Sequence, residues 1–107
     1  MGGVTAIQEL CKQPAEKRRF SMEFASLLVK NETISTIDSI TSETIDGNIS
    51  DLIISVPSIV DGQSILSKIE CWIEAGTSGL KYRVEILLTT SDGQILEGDG
   101  ILNVTDR

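Results

Sequence analysis

The sequence predicts an all-β fold: a sandwich of six or seven short antiparallel strands with a short N-terminal arm, helical or extended. Three observations lead there. From Phe20 on, apolar and polar residues alternate through most of the chain, the period of a half-buried strand. Turn residues break these runs about every 8 to 12 positions, the spacing of a sandwich. And 15 of the 107 residues are Ile, whose stiff β-branched side chain suits a pleated surface. The length fits one domain, and a hydrophobic content of 40% can supply its core.

The elements follow in chain order. Residues 1–19 form the arm and 20–107 the sandwich domain. In the arm, Val4, Ile7, Leu10 and Cys11 make one apolar stripe at helical spacing, with Thr5 as a cap and Pro14 as a stop. About eight residues cannot hold a helix alone, so the stripe docks on its own domain, docks on a partner, or frays. Phe20, Met22 and Phe24 alternate as a first strand, and Lys30–Thr33 turns the chain. Ile34–Ile40 has Ile every third residue but is rich in Ser and Thr, which predicts a strand with a bulge. Asp46-Gly-Asn48 is a turn, Leu52–Val56 a strand stopped by Pro57, and Asp61-Gly62 a loop. Ile65, Ser67, Ile69, Cys71 and Ile73 line one face of the next strand. After the Gly76 and Gly79 loop, Tyr82, Val84, Ile86 and Leu88 alternate, Ser91-Asp-Gly93 makes a hairpin turn, and Leu96–Val104 closes the fold. The expected core is Phe20, Met22, Phe24, Ile69, Cys71, Ile73, Tyr82, Val84, Ile86, Leu102 and Val104.

Charge is uneven. Residues 1–19 carry +2 and residues 20–107 carry -9, within a total of -7. An acidic body of this kind repels phosphate, so neither nucleic acid nor an anionic membrane is expected as a partner. The apolar runs are far shorter than the roughly 20 residues that cross a bilayer. Met1–Glu9 shows no basic segment followed by an apolar one, so no secretory signal is expected, and the three Asn-x-Ser/Thr triplets read as coincidence. Cys11 and Cys71, 60 residues apart, are expected to stay reduced, with Cys71 a buried small hydrophobe.

Chemistry finds little to work with. The chain has no His, the usual activator of a nucleophile and the commonest metal ligand. Glu70 with Glu74, and Glu97 with Asp99, are carboxylate pairs on one strand face, an ordinary solvated arrangement. Asp46–Asp51 opens like a calcium loop but then fails, with Asp51 at the sixth position and Pro57 at the twelfth. No catalytic residue, metal or cofactor is therefore expected. Two features remain. Lys17-Arg18-Arg19 is a basic run, and Trp72 lies between Glu70 and Glu74 on the strand face opposite Cys71. Trp72 reads equally as an interface residue and as a core anchor.

The last third of the chain is similar to a family of small bacteriophage and prophage virion proteins, the tail-fibre adaptor-like proteins. The matching motifs are Trp72-Ile73, Gly76-Thr-Ser-Gly79, Tyr82-Arg-Val84, Thr89-Thr-Ser-Asp-Gly93 and Val104-Thr-Asp-Arg107. Lys12-Gln-Pro-Ala-Glu16, Phe20–Phe24 and Asn31-Glu-Thr-Ile34 extend the resemblance to residues 12–107, with Asn31 in place of a Gly and Phe24 where Trp is frequent. The resemblance implies an immunoglobulin-like sandwich without catalytic residues, joining tail or neck to fibre proteins.

The combined expectation is a non-enzymatic virion structural protein, made and assembled in the bacterial host cytoplasm. Its partners would be tail, neck or fibre proteins and further copies of itself. Val4, Ile7, Leu10, Lys17, Arg18, Arg19 and Trp72 are the candidate partner-binding residues. A secreted adhesion or carbohydrate-binding sandwich is the alternative.

Overall fold

Alternation along a strand sends successive side chains to opposite sides, so seven alternating segments can bury one face each only by facing one another in two layers. The computed structural model, which describes residues 6–105 with side chains from Cys11 on, has this arrangement. Its strands are β1 (Ala6–Lys12), β2 (Arg18–Glu23), β3 (Ile34–Thr44), β4 (Leu52–Val60), β5 (Lys68–Ala75), β6 (Lys81–Thr90) and β7 (Ile95–Val104). One sheet has the order β1-β7-β6-β3 and the other β2-β5-β4. β7, β6 and β3 occupy the places of strands G, F and C of an immunoglobulin-like sandwich, and β2, β5 and β4 those of B, E and D.

All eleven expected core residues are buried between the sheets, joined by Ile34 and Leu88, each at most 2% exposed. Opposite the large side chains of β2, strand β7 presents Gly98 and Gly100. A Cβ on Gly100 would run into the Phe20 ring, and one on Gly98 into Met22 and Phe24. These glycines are there for close approach between layers, not for turns. Cys71 is buried as expected, which pushes its thiol up to about 11, and Cys11 is a free, exposed thiol on β1.

The structure departs from the sequence reading in three places. The Val4–Cys11 stripe has helical spacing in an arm read as helical or extended, and Ala6–Lys12 is extended, a strand paired parallel to β7 from Ala6 opposite Gly98 to Lys12 opposite Val104. An eight-residue helix has too little of its own to compete with an open sheet edge that supplies hydrogen bonds. The sandwich is consequently not wholly antiparallel. Pro57 does not stop β4. It sits with Val56 in a bulge between Ser55 and Ser58, on an edge strand where a missing N–H costs little. The β5 strand starts at Lys68, leaving Ile65 in the preceding loop at 70% exposure. The expected bulge in β3 is present, as register shifts between Ile34 and Thr36 and between Ile37 and Ser39.

Buried polar groups tie down the two ends. Near the start of β6, the Tyr82 hydroxyl accepts the Thr77 N–H, five residues upstream, at 2.8 Å and donates to Asp51 at 2.5 Å. This is the tyrosine corner of immunoglobulin-like folds. The Thr77 hydroxyl donates to the other Asp51 oxygen at 2.7 Å, so the hydroxyls of Tyr82 and Thr77 hold the Asp51 carboxyl below its usual range. Asp51 is thus occupied in the protein's own architecture. Beside it Lys12 is fully buried and donates to the carbonyls of Gln13 and Pro14 at 2.7 and 3.3 Å. At the far end Glu32 accepts from Thr90 Oγ1 at 2.5 Å, Gln94 Nε2 at 2.9 Å and the Val29 N–H at 2.9 Å, which holds its carboxyl low against the opposing effect of burial.

Candidate functional site

With the inner faces filled, contacts to other molecules fall to the outer faces, the ends and the sheet edges. The outer face of β2-β5-β4 carries the first feature. In register, Trp72 of β5 lies between Arg19 of β2 and Ser55 of β4, and its neighbours Cys71 and Ile73 point into the core. Trp72 is therefore half-buried and outward-facing, not a core anchor. The Arg19 guanidinium lies 5.0 Å from the indole centroid and the Lys17 ammonium 5.8 Å. Both are exposed, and neither makes an ion pair among the described residues. Each cation–π contact at such a site is worth about 0.5–1 kcal/mol. Arg18, one residue over, follows the strand alternation to the other side and meets Glu16 at 3.8 Å.

Of the seven residues singled out from sequence, the structure brings together Lys17, Arg19 and Trp72. Arg18 stands apart from them. Val4 lies outside the described residues. Ile7 and Leu10 fall in β1, opposite Asp99 and Leu102, on the far edge of the other sheet, and their side chains lie outside the described set.

The second feature is on the outer face of β1-β7-β6-β3. Carboxylate oxygens of Glu85, Glu97 and Asp99 all lie within 4.8 Å of one another. Burial first, and then the charges of Glu97, Asp99 and Glu43, raise the Glu85 carboxyl above its usual range. One Asp99 oxygen, Oδ1, is shielded from solvent and has no hydrogen-bond partner among the described residues. The sequence showed the Glu97 and Asp99 pair but not Glu85, because only the pairing of Glu85 with Asp99 across β6 and β7 brings it in. Arg83, the nearest cation on this face, is engaged by Glu43 at 3.6 Å.

A third feature, an open cleft of about 710 Å³, lies at the Glu32 end between the loop after β2 and the loop before β5. Leu28, Val29 and Ile65 supply its apolar wall. Glu32, its carboxylate, has both oxygens taken up by Thr90, Gln94 and the Val29 N–H. These surfaces offer charge, aromatic area and shape, the means of protein recognition.

The family model described as podophage GP4 fiber-tail adaptor protein gp77 matches residues 12–103. The chain belongs to this family. A search of curated proteins finds no match. As a fibre-tail adaptor family member, the chain is related to a component of the phage virion. The family match opens at Lys12, the buried last residue of β1, and runs into β7, so it takes in the tyrosine corner, the Trp72 corner and the acidic face of the adaptor. The rest of β1, Ala6–Cys11, precedes it. No helix among the described residues is long and apolar enough to cross a membrane.

Proposed function

We propose that this adaptor is a non-enzymatic joint of the virion, holding tail or neck proteins to fibre proteins by interface burial. It is made in the host cytoplasm, is repeated as several copies in the particle, and contacts neither nucleic acid nor membrane. The observation that supports this best is the Trp72 corner. An outward indole flanked by two cations without ion pairs among the described residues combines the residue types that dominate protein interfaces, where a partner's carboxylates would complete the Arg19 and Lys17 charges. Residues 1–19 belong to the same reading as a partner-facing segment, because β1 ends its sheet with one side unpaired among the described residues, open to strand addition.

The test is complementation. Phage lacking this gene would be supplied with the chain carrying Trp72→Ala and Arg19→Ala, and the fibres per particle counted by electron microscopy. The variant is expected to fold and to yield particles depleted of fibres. Full fibre occupancy would sink the assignment of this corner. The same count on a chain lacking residues 1–15 tests the arm, with unchanged occupancy counting against it.

A further inference from the structure

The outer faces of the two sheets carry local patches of opposite charge, the basic one at the Lys17–Arg19 end of a face that also holds Glu74 and the Lys68–Glu70 pair. On the β1-β7-β6-β3 side, Glu85, Glu97 and Asp99 crowd within 4.8 Å, and the neighbouring Arg83 guanidinium is already shared with Glu43. Asp99 Oδ1 is hidden from water with nothing among the described residues donating to it. Such a group is costly unless a donor arrives from outside. On the β2-β5-β4 side, Arg19 and Lys17 stand on Trp72 with no carboxylate of the described residues within ion-pairing distance. The indole holds the planar guanidinium in place, so its forked donors face outward at little entropic cost.

We propose that the Lys17–Arg19–Trp72 corner of one copy docks on the Glu85–Glu97–Asp99 face of a second copy. The occupant is another copy because this one chain carries both halves of the match, and its basic charge is concentrated in residues 12–19 of an otherwise acidic molecule. The patches lie on opposite faces of the sandwich, so each docked copy still offers one of each. The contact is heterologous and head-to-tail, the kind that closes into a ring when the rotation between copies allows. This inference rests on reading the Trp72 corner as a protein contact, and it goes further by naming the contacting surface. Burial, and then the neighbouring carboxylates, raise the Glu85 carboxyl, in keeping with a face that lacks its counter-charge.

The experiment uses the purified full chain in sedimentation velocity at about 50 and 500 mM salt, a range over which exposed charge pairs are strongly screened. The wild type is expected to associate with concentration, at least tenfold more weakly at high salt. Chains carrying Lys17→Glu with Arg19→Glu, or Glu85→Lys with Glu97→Lys, should each be folded by circular dichroism and monomeric. Mixed, these two should associate in alternation, since each surface of one is complementary in charge to a surface of the other. A chain with all four substitutions should associate again. A wild type that stays monomeric at low salt overturns the proposal, as does either two-site variant associating like wild type. Association that needs added calcium or magnesium and survives Arg19→Glu also overturns it, in favour of a bridging cation. A monomeric chain that still restores fibres to particles would reject this contact and leave the adaptor role standing.

Discussion

Single residues set the ends and the spacing of this sandwich. Tyr82→Phe removes one hydroxyl but strands both the Thr77 N–H and an Asp51 oxygen, so it should cost about 1–3 kcal/mol in urea unfolding. Gly100→Ala puts a methyl into the space of the Phe20 ring and should destabilise by about 1–3 kcal/mol through overpacking. Glu85→Gln should act in the opposite direction. Its carboxyl is raised in the folded state, so folding favours its protonated form, and stability is lost as pH rises through that raised value. Neutral Gln should thus raise the unfolding midpoint at pH 7, by less than about 1 kcal/mol given solvent screening, with no gain once pH falls below the usual carboxylate range. Tyr82 was legible as a core position from alternation alone. Its hydroxyl partners were not, since Asp51 is 31 residues away in the chain and meets it only in the fold.

At the level of strands, alternation was a reliable guide wherever both neighbours of a segment were polar and regular. It gave β2, β6 and β7 nearly whole, including the glycine positions of β7. It failed where an edge decided the outcome. The Val4–Cys11 stripe has helical spacing, and the free side of β7 nonetheless selected a strand for Ala6–Lys12. Pro57 reads as a stop from sequence because the rule against proline holds for central strands, and β4 is an edge. Val56, next to it, sits at φ 50 with 68% exposure, an unusual conformation for a β-branched residue. Val56→Gly should relieve it at no packing cost and raise stability by up to about 1 kcal/mol, measured by thermal unfolding. A fall in stability would mean that the bulge relies on the Val side chain. Of the acidic face, the Glu97 and Asp99 half was visible in one strand, and Glu85 required the register between two.

The whole molecule depends on ionised carboxylates as braces. Asp51 and Glu32 are held low chiefly by hydroxyls donating to them, and in Glu23 the bonds from Ser67, Gln63 and Ala25 outweigh the upward pull of burial. All three are lowered by folding, so the stability they contribute is present above the usual carboxylate range and lost as pH falls through their lowered values. The urea midpoint should hold from pH 7 to about 5 and fall steeply below about 4. A flat profile to pH 3 would show that the braces are dispensable. Charge totals read from the sequence could not assign this role, since a brace and a solvated acid count alike.

The parallel pairing of β1 with β7 has a consequence for how the molecule comes into being. The first described strand finds its neighbour only in the last, 92 positions later for Lys12 and Val104. On the ribosome, β2 can meet β5 and β4 can meet β5 while synthesis continues, yet β1 must wait for nearly the entire chain. Loop-closure entropy makes such a long-range pairing slow, so closure of this sheet edge should come late in folding. In the interval the edge of β7 and the strand meant for it are both exposed, and a crowded assembly of identical chains gives each an equivalent neighbour to pair with.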